Sequence, residues 1–201
     1  MRLHDPRLLV VCVLRSGGVY DHEYVDRLFE GVYKNLKGNY DFICLTDTEI
    51  YISGALFFPL KHNWPGWWSK MEVFKIKGKV LYLDLDTVIT GSLDRLFCDE
   101  FTMIKDFYYP KSKSPFGSGV MAWNGDYQYI YEAFQNDPDK NMEKYRKNAG
   151  DQKFIVDHLG FTPDTFKEGD VVSYKKHKNR KNSVVTCYHG KPKPHETGWK
   201  G

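Results

Sequence analysis

Seven residues near the start of the chain, Leu8 to Leu14, are apolar without a break and rich in valine. A run of that length and pattern suits a strand covered on both faces, which belongs inside a layered α/β sheet. The neighbouring segments agree. After a turn at Arg15-Ser16-Gly17-Gly18, the residues Val25, Leu28, Phe29, Val32 and Leu36 recur at helical spacing, and Gly38 with Asn39 supplies the stop. Asp41 to Thr46 reads as the next strand, so the chain opens as a βαβ unit.

The alternation continues. A strand is expected at Ala55 to Leu60, then an aromatic loop Asn63-Trp64-Pro65-Gly66, a helix from Trp67 to Ile76 ended by Gly78, and a strand from Lys79 to Thr90 interrupted by two acids. Ser92 reads as the N-cap of a short helix through Phe97. A strand at Gly117 to Trp123, helices at Tyr127 to Phe134 and Asp151 to His158, and late strands at Val171 to Tyr174 and Ser183 to Tyr188 complete the pattern. The basic run Lys175 to Lys181 has no apolar period and reads as a solvated loop. Together these elements predict one α/β domain over residues 1–201, an open, mostly parallel sheet flanked by helices. Such sheets bind ligands outside the carboxyl ends of their strands, where the strand order reverses.

Composition narrows the function classes. With 41% hydrophobic and 16% aromatic residues in 201, the chain is neither disordered nor fibrous. Its 29 Lys and Arg against 26 Asp and Glu leave +3, too little for general nucleic-acid binding but compatible with an anionic small molecule. No apolar run is long enough to span a membrane, and Met1 to Arg7, with Asp5 and Pro6, does not lead into a signal-peptide cleavage site. Cys12, Cys44, Cys98 and Cys187 are scattered, which fits a reducing, cytoplasmic setting and excludes a cysteine-based zinc site. No pattern fixes the oligomeric state.

Asp84 and Asp86 end the apolar stretch Val80-Leu81-Tyr82-Leu83. On an extended segment, side chains two apart leave the same face, so the two carboxylates are expected to converge. Their repulsion at the end of an apolar strand is relieved by a hard divalent cation, Mn²⁺ or Mg²⁺, which takes such oxygen ligands. The plainer alternative is that one acid caps the following turn and the other is solvated.

Trp68-Ser69-Lys70-Met71-Glu72-Val73-Phe74, then Val80 to Val88, then Gly91-Ser92-Leu93-Asp94-Arg95-Leu96-Phe97 resemble the D-x-D region of GT-A glycosyltransferases, most closely family 8, the glycogenin and bacterial galactosyltransferase group. Further likenesses are Arg15 to Tyr20 as a donor-binding loop, Gly117-Ser118-Gly119-Val120 as the N-S-G-V strand, Gly150-Asp151-Gln152 as the D-Q helix start, and His189-Gly190-Lys191-Pro192-Lys193-Pro194 as the late His and K-P segment. The resemblance spans roughly residues 8 to 196. It implies a single Rossmann-like GT-A domain that moves a hexose-type sugar from a nucleoside diphosphate donor, a UDP-sugar, to a saccharide or glycan acceptor with retention. By resemblance the donor meets Leu14, Arg15 and Tyr20 after the first strand, Lys70, Asp84, Leu85 and Asp86 in the D-x-D region, and Gly190 and Lys193 in the tail. Mn²⁺ or Mg²⁺ is held by Asp84, Asp86 and His189, and Asp151 and Gln152 act with Lys70 at the reacting centre. Gly117 stands where the family usually has Asn, and His189 directly precedes Gly190 where two residues commonly intervene.

The aromatic loop from Trp64 to Trp68 offers a wall for a saccharide acceptor, because sugar C–H faces stack on rings. Two rival readings remain. Asp84-Leu85-Asp86-Thr87-Val88 also matches the signature of haloacid-dehalogenase-type phosphatases, in which the first Asp is the nucleophile. A chain of the same fold that binds nucleotide-sugars without catalysis is the other.

Overall fold

The computed structural model describes residues 7–199. Met1 to Pro6, on which most of the leader expectation rests, lie outside the described residues. Strand β1 (Leu8–Leu14) is buried along its second half and leads to helix α1 (His22–Asn35). That helix starts where the Asp21 side chain accepts from the Glu23 backbone N–H at 3.0 Å, and it buries the face Tyr24, Val25, Leu28 and Val32. Strands β2 (Tyr40–Thr46) and β3 (Ala55–Pro59) follow, each parallel to its predecessor in the sheet.

Residues Gly66–Lys75 form a 3₁₀ helix, where the spacing predicted an α-helix. Seven consecutive residues of it, Trp68 to Phe74, are buried, so packing on every side overrides the local preference. The expected strand from Lys79 to Thr90 is two strands, β4 (Gly78–Leu83) and β5 (Thr87–Ile89), in different sheets. The turn between them is closed by the Thr87 backbone N–H and Oγ1, which donate to the Asp84 carbonyl at 3.2 and 2.7 Å.

Leu93–Leu96 is a short 3₁₀ turn, and β6 (Thr102–Lys105) and β7 (Phe116–Gly125) form an antiparallel pair. Three helices, α2 (Gln128–Gln135), α3 (Pro138–Arg146) and α4 (Gly150–Leu159), precede the short strands β8 (Asp164–Thr165), β9 (Val171–Ser173) and β10 (Val185–Cys187). A 3₁₀ turn at Pro194–Thr197 follows.

The larger sheet has the order β3-β2-β1-β4-β7-β6-β8, and a smaller one has β5-β10-β9. Pairing is parallel from β3 through β4, and β7 enters antiparallel on both its sides. Apolar layers cover both faces of the larger sheet: one joins it to α1 and the smaller sheet, the other to the 3₁₀ helix, α2 and α4. Each large side chain buried there stabilises the fold by roughly 1.5–3 kcal/mol. The chain runs from β1 outward to β3 and then returns to place β4 on the other side of β1, so the order reverses between β1 and β4. A cleft opens beyond the carboxyl ends of those two strands.

Candidate active site

The cleft has a volume of about 1220 Å³ and is walled by residues from nearly every part of the chain. Its floor is an ion cluster centred on Lys70, which the 3₁₀ helix delivers 5% exposed beneath the end of β4. The Lys70 ammonium lies 3.0 Å from Asp84 and 2.9 Å from Asp151, and donates to Ser118 Oγ at 3.2 Å. Ser118 Oγ in turn donates to Asp151 Oδ2 at 2.6 Å, and Tyr82 donates to Asp84 Oδ1 at 2.6 Å. Burial alone would lower the lysine's proton affinity, but the carboxylates of Asp151 and Asp84 outweigh it and hold the ammonium well above its ordinary range.

Asp84 and Asp86 do not leave one face of an extended strand as expected, because both sit in the β4–β5 turn. The two-residue alternation instead pairs Tyr82 with Asp84. Burial pushes the Asp84 carboxyl up to about 6; Lys70 pulls it down and Asp86 adds to the rise. Gly119 permits the close approach of that carboxylate, since a Cβ there would lie 3.3 Å from Asp84 Oδ2. Asp86 accepts from Tyr20 at 2.7 Å and from Lys193 at 2.8 Å, and the Lys193 ammonium also touches the Tyr20 hydroxyl. Tyr20, expected at the donor, is fastened by its hydroxyl, with the Lys193 ammonium 4.7 Å from its ring centroid.

Other expected donor residues divide. Arg15, Leu85, Gly190 and Lys193 line the cleft, and Arg15 pairs with Asp47 at 2.9 Å. Leu14 does not line it: at 2% exposure its side chain packs into the core, and Val13 forms that part of the wall. Asp151 is not the N-cap of α4, because Ala149 holds that position and the acid, one residue inside the helix, turns into the cluster. Gln152 donates to Asp106 Oδ2 at 3.3 Å on the opposite wall. A Cβ on Gly117 would lie 3.7 Å from that same oxygen, an ordinary contact, so the glycine sits directly beside the Asp106–Gln152 pair.

Two acidic oxygen donors beside each other, one with a carboxyl raised by burial and by its neighbour, suit a hard cation. The expected third ligand, His189, lines the same cleft. Among the described residues no three His, Cys, Asp or Glu side chains gather as a metal cage. His189 Nε2 shares a 2.6 Å hydrogen bond with Ser173 Oγ, and the ring stacks on Phe107, an anchoring of one ring nitrogen that is compatible with ligation through the other, Nδ1. Its proton affinity is lowered by burial and by the charge of Lys175.

Of the aromatic loop, Trp67 alone among the three tryptophans reaches the cleft, 56% exposed at its rim. Trp64 and Trp68 belong to the core, Trp64 stacked on His62 at 4.2 Å and Trp68 on Phe134 at 5.3 Å. Phe107 and Tyr108 form the facing wall. The fully buried Glu72 accepts from the Lys61 and His62 backbone N–H groups at 2.9 and 2.8 Å and pairs with Lys75, which clamps the loop before Trp67. Sequence reasoning gave no role to Tyr82 or Ser118 as partners of the acids; the signals were the position of Tyr82 two residues before Asp84 and that of Ser118 inside the Gly117 to Val120 motif.

No family profile matches the sequence, and no curated protein matches it. Solved structures do match in fold. The glycosyltransferase GlyE of Streptococcus pneumoniae superposes with a TM-score of 0.67 at 15% identity over 94% of this chain, which spans 56% of GlyE. An active-site Gln-to-Glu mutant of LgtC gives a TM-score of 0.64 at 15% identity, over 92% of this chain and 89% of that one. The galactosyltransferase LgtC in complex with donor and acceptor sugar analogs gives 0.61 at 16% identity, over 92% and 88%. The expected GT-A architecture is therefore the fold of this chain. Among the described residues no helix is long and apolar enough to cross a membrane.

Proposed function

We propose that residues 1–201 act as one GT-A glycosyltransferase domain, transferring a hexose-type sugar from a UDP-sugar to a saccharide or glycan acceptor with retention. The observation that supports this most is the Lys70 cluster, an ammonium bound to acids from both the β4–β5 turn and α4 at the strand-order reversal. Asp84 and Asp86 would hold Mn²⁺ or Mg²⁺, which supplies Lewis-acid neutralisation of the diphosphate leaving group when bound. Lys70 and Lys193 stand beside those acids, so each can shift a hydrogen bond from carboxylate to phosphate oxygen as charge develops there. Asp151 and Gln152 project from the start of α4 into the cleft, where an acid can hold sugar hydroxyls and an amide oxygen can face the anomeric carbon. Trp67 and Tyr108 both line the cleft, where their rings can stack on the C–H faces of an acceptor. The fold neighbours include a galactosyltransferase crystallised with donor and acceptor analogs, which fits both partner classes. A cytoplasmic setting goes with this reading.

The phosphatase reading needs a free nucleophilic carboxylate on the first strand of the core. Asp84 follows the fourth strand and both its oxygens are engaged, by Tyr82 and by Lys70. Titration calorimetry with UDP, with and without Mn²⁺, tests the proposal: UDP should bind, and bind more tightly with the metal. No UDP binding under either condition ends it. Sugar release from a UDP-hexose, into water or onto an acceptor, then separates an enzyme from an inactive binding module.

Acid should weaken the metal-dependent part of that binding. The Asp84 carboxyl, raised to about 6, must lose its proton to ligate a cation, so affinity should fall by about tenfold per pH unit below that value. The metal-free fold responds in the opposite sense. A raised carboxyl binds its proton more tightly folded than unfolded, so its cost to stability is present above about 6 and is relieved as pH falls towards 3.8. Calorimetry across this range checks the first effect and urea unfolding the second; UDP affinity that stays level down to pH 5 would remove Asp84 from the metal site.

A further inference from the structure

The expected solvated loop at Lys175 to Lys181 is exposed for most of its length, yet its backbone is tightly held. Ser173 Oγ accepts from the backbone N–H groups of Lys175 and Lys176, both at 3.2 Å. The Ser173 N–H donates to His177 Nδ1 at 3.0 Å, and the His177 N–H donates back to the Ser173 carbonyl at 3.1 Å. Arg180 donates to the carbonyls of His177 and Tyr174 at 2.7 and 3.2 Å and lies over the Tyr174 ring. Lys176 lies over the Tyr108 ring at 4.3 Å.

Lys175 is the member of the run that enters the cleft. Its ammonium lies 3.3 Å from where a Cβ on Gly190 would stand, and Gly190 has φ +69, so a side chain there is disfavoured by backbone as well as by space. The other lysines and the arginine in the cleft wall are engaged with acids: Arg15 with Asp47, Lys70 with Asp84 and Asp151, Lys193 with Asp86. Among the described residues, the Lys175 ammonium has no carboxylate within 4.0 Å and no hydrogen-bond acceptor. An unpaired ammonium on a braced backbone, facing a cleft already supplied with acids, is arranged for an anion brought in from outside.

Resting on the nucleotide-sugar reading above, we infer that Lys175 is a phosphate-binding residue, closing on the donor diphosphate beside His189 and Gly190. The Ser173 turn fixes the lysine's backbone in advance, and the missing side chain at Gly190 keeps the ammonium's path open.

The test titrates UDP with Mn²⁺ into the parent chain, Lys175→Met, Lys175→Arg and Lys178→Met, and follows uridine on the same proteins by ligand-observed NMR. Lys175→Met should weaken UDP by roughly ten- to a hundredfold, the range for a lost hydrogen bond to a charged group, and leave uridine unchanged. Lys175→Arg should recover most of the loss, and Lys178→Met should match the parent. Equal UDP affinity in Lys175→Met and the parent overturns the inference and leaves the nucleotide reading standing. Parallel loss of uridine and UDP also overturns it, since the lysine would then be shaping the cleft. A parent that binds neither ligand ends both readings.

Discussion

Lys70→Met should cost the fold about 3–5 kcal/mol, the usual penalty for removing one member of a buried ion cluster and leaving its partners unpaired. Methionine fills most of the volume, but Asp84 and Asp151 are left without the cation they share, and Ser118 loses a donor. Urea unfolding reads the loss as a lower midpoint at unchanged slope. Its pH dependence has a definite sign. Without the ammonium, which pulls the Asp84 carboxyl down, that carboxyl holds its proton still more tightly in the folded chain, so the deficit should narrow on acidification, starting above the parent's Asp84 value of about 6. UDP binding and transfer should be lost as well. A neutral-pH midpoint equal to the parent's would mean that the ammonium contributes nothing to the floor of the cleft.

Asp86→Asn should have the opposite balance, little change in stability and a loss of metal-dependent UDP affinity of about a hundredfold or more. The amide oxygen can still accept from Tyr20 and Lys193, which keeps the local geometry. What disappears is the negative charge, and losing a charged ligand of this kind costs about 3 kcal/mol or more. Titration of UDP with Mn²⁺ measures it, with UDP alone as the reference. Should the variant keep the parent's response to metal, Asp86 is only a partner of Tyr20 and Lys193.

The parallel half of the sheet was legible because its strands are continuous apolar runs and α1 has a clear apolar period. Helix α3 was not, since Tyr145 is its one buried residue and a polar helix has no period to read; Asp137 before Pro138, a capping residue and a helix-starting proline, was the available cue. Strand β6 has four residues and owes its place to pairing with β7, a long-range contact that no local pattern encodes. At the site, Lys70, Asp84, Asp86, Asp151 and Lys193 could be named from short motifs, and the structure brings them to one cleft. Their particular pairings could not be named, because Ser118 joins them from a position that β7 creates in three dimensions. The tryptophans failed as a group for a related reason. An aromatic in a loop looks the same in sequence whether it faces solvent or core, and here Trp64 and Trp68 turn inward.

The 3₁₀ helix has a bearing on how such a chain could be re-engineered. With three residues per turn, Trp67 at the rim and Lys70 on the floor fall one above the other on a single strut, tied to the preceding loop by Glu72. Reshaping the rim at Trp67 therefore disturbs the floor through the shared backbone. The opposite wall is a different part: Asp106, Phe107 and Tyr108 follow β6 in a turn of their own, joined to α4 by the Gln152 contact and to the tail by Phe107 stacked on His189. Libraries aimed at a new acceptor should vary that turn and leave the strut untouched, so that changes in selectivity are not bought with lost turnover.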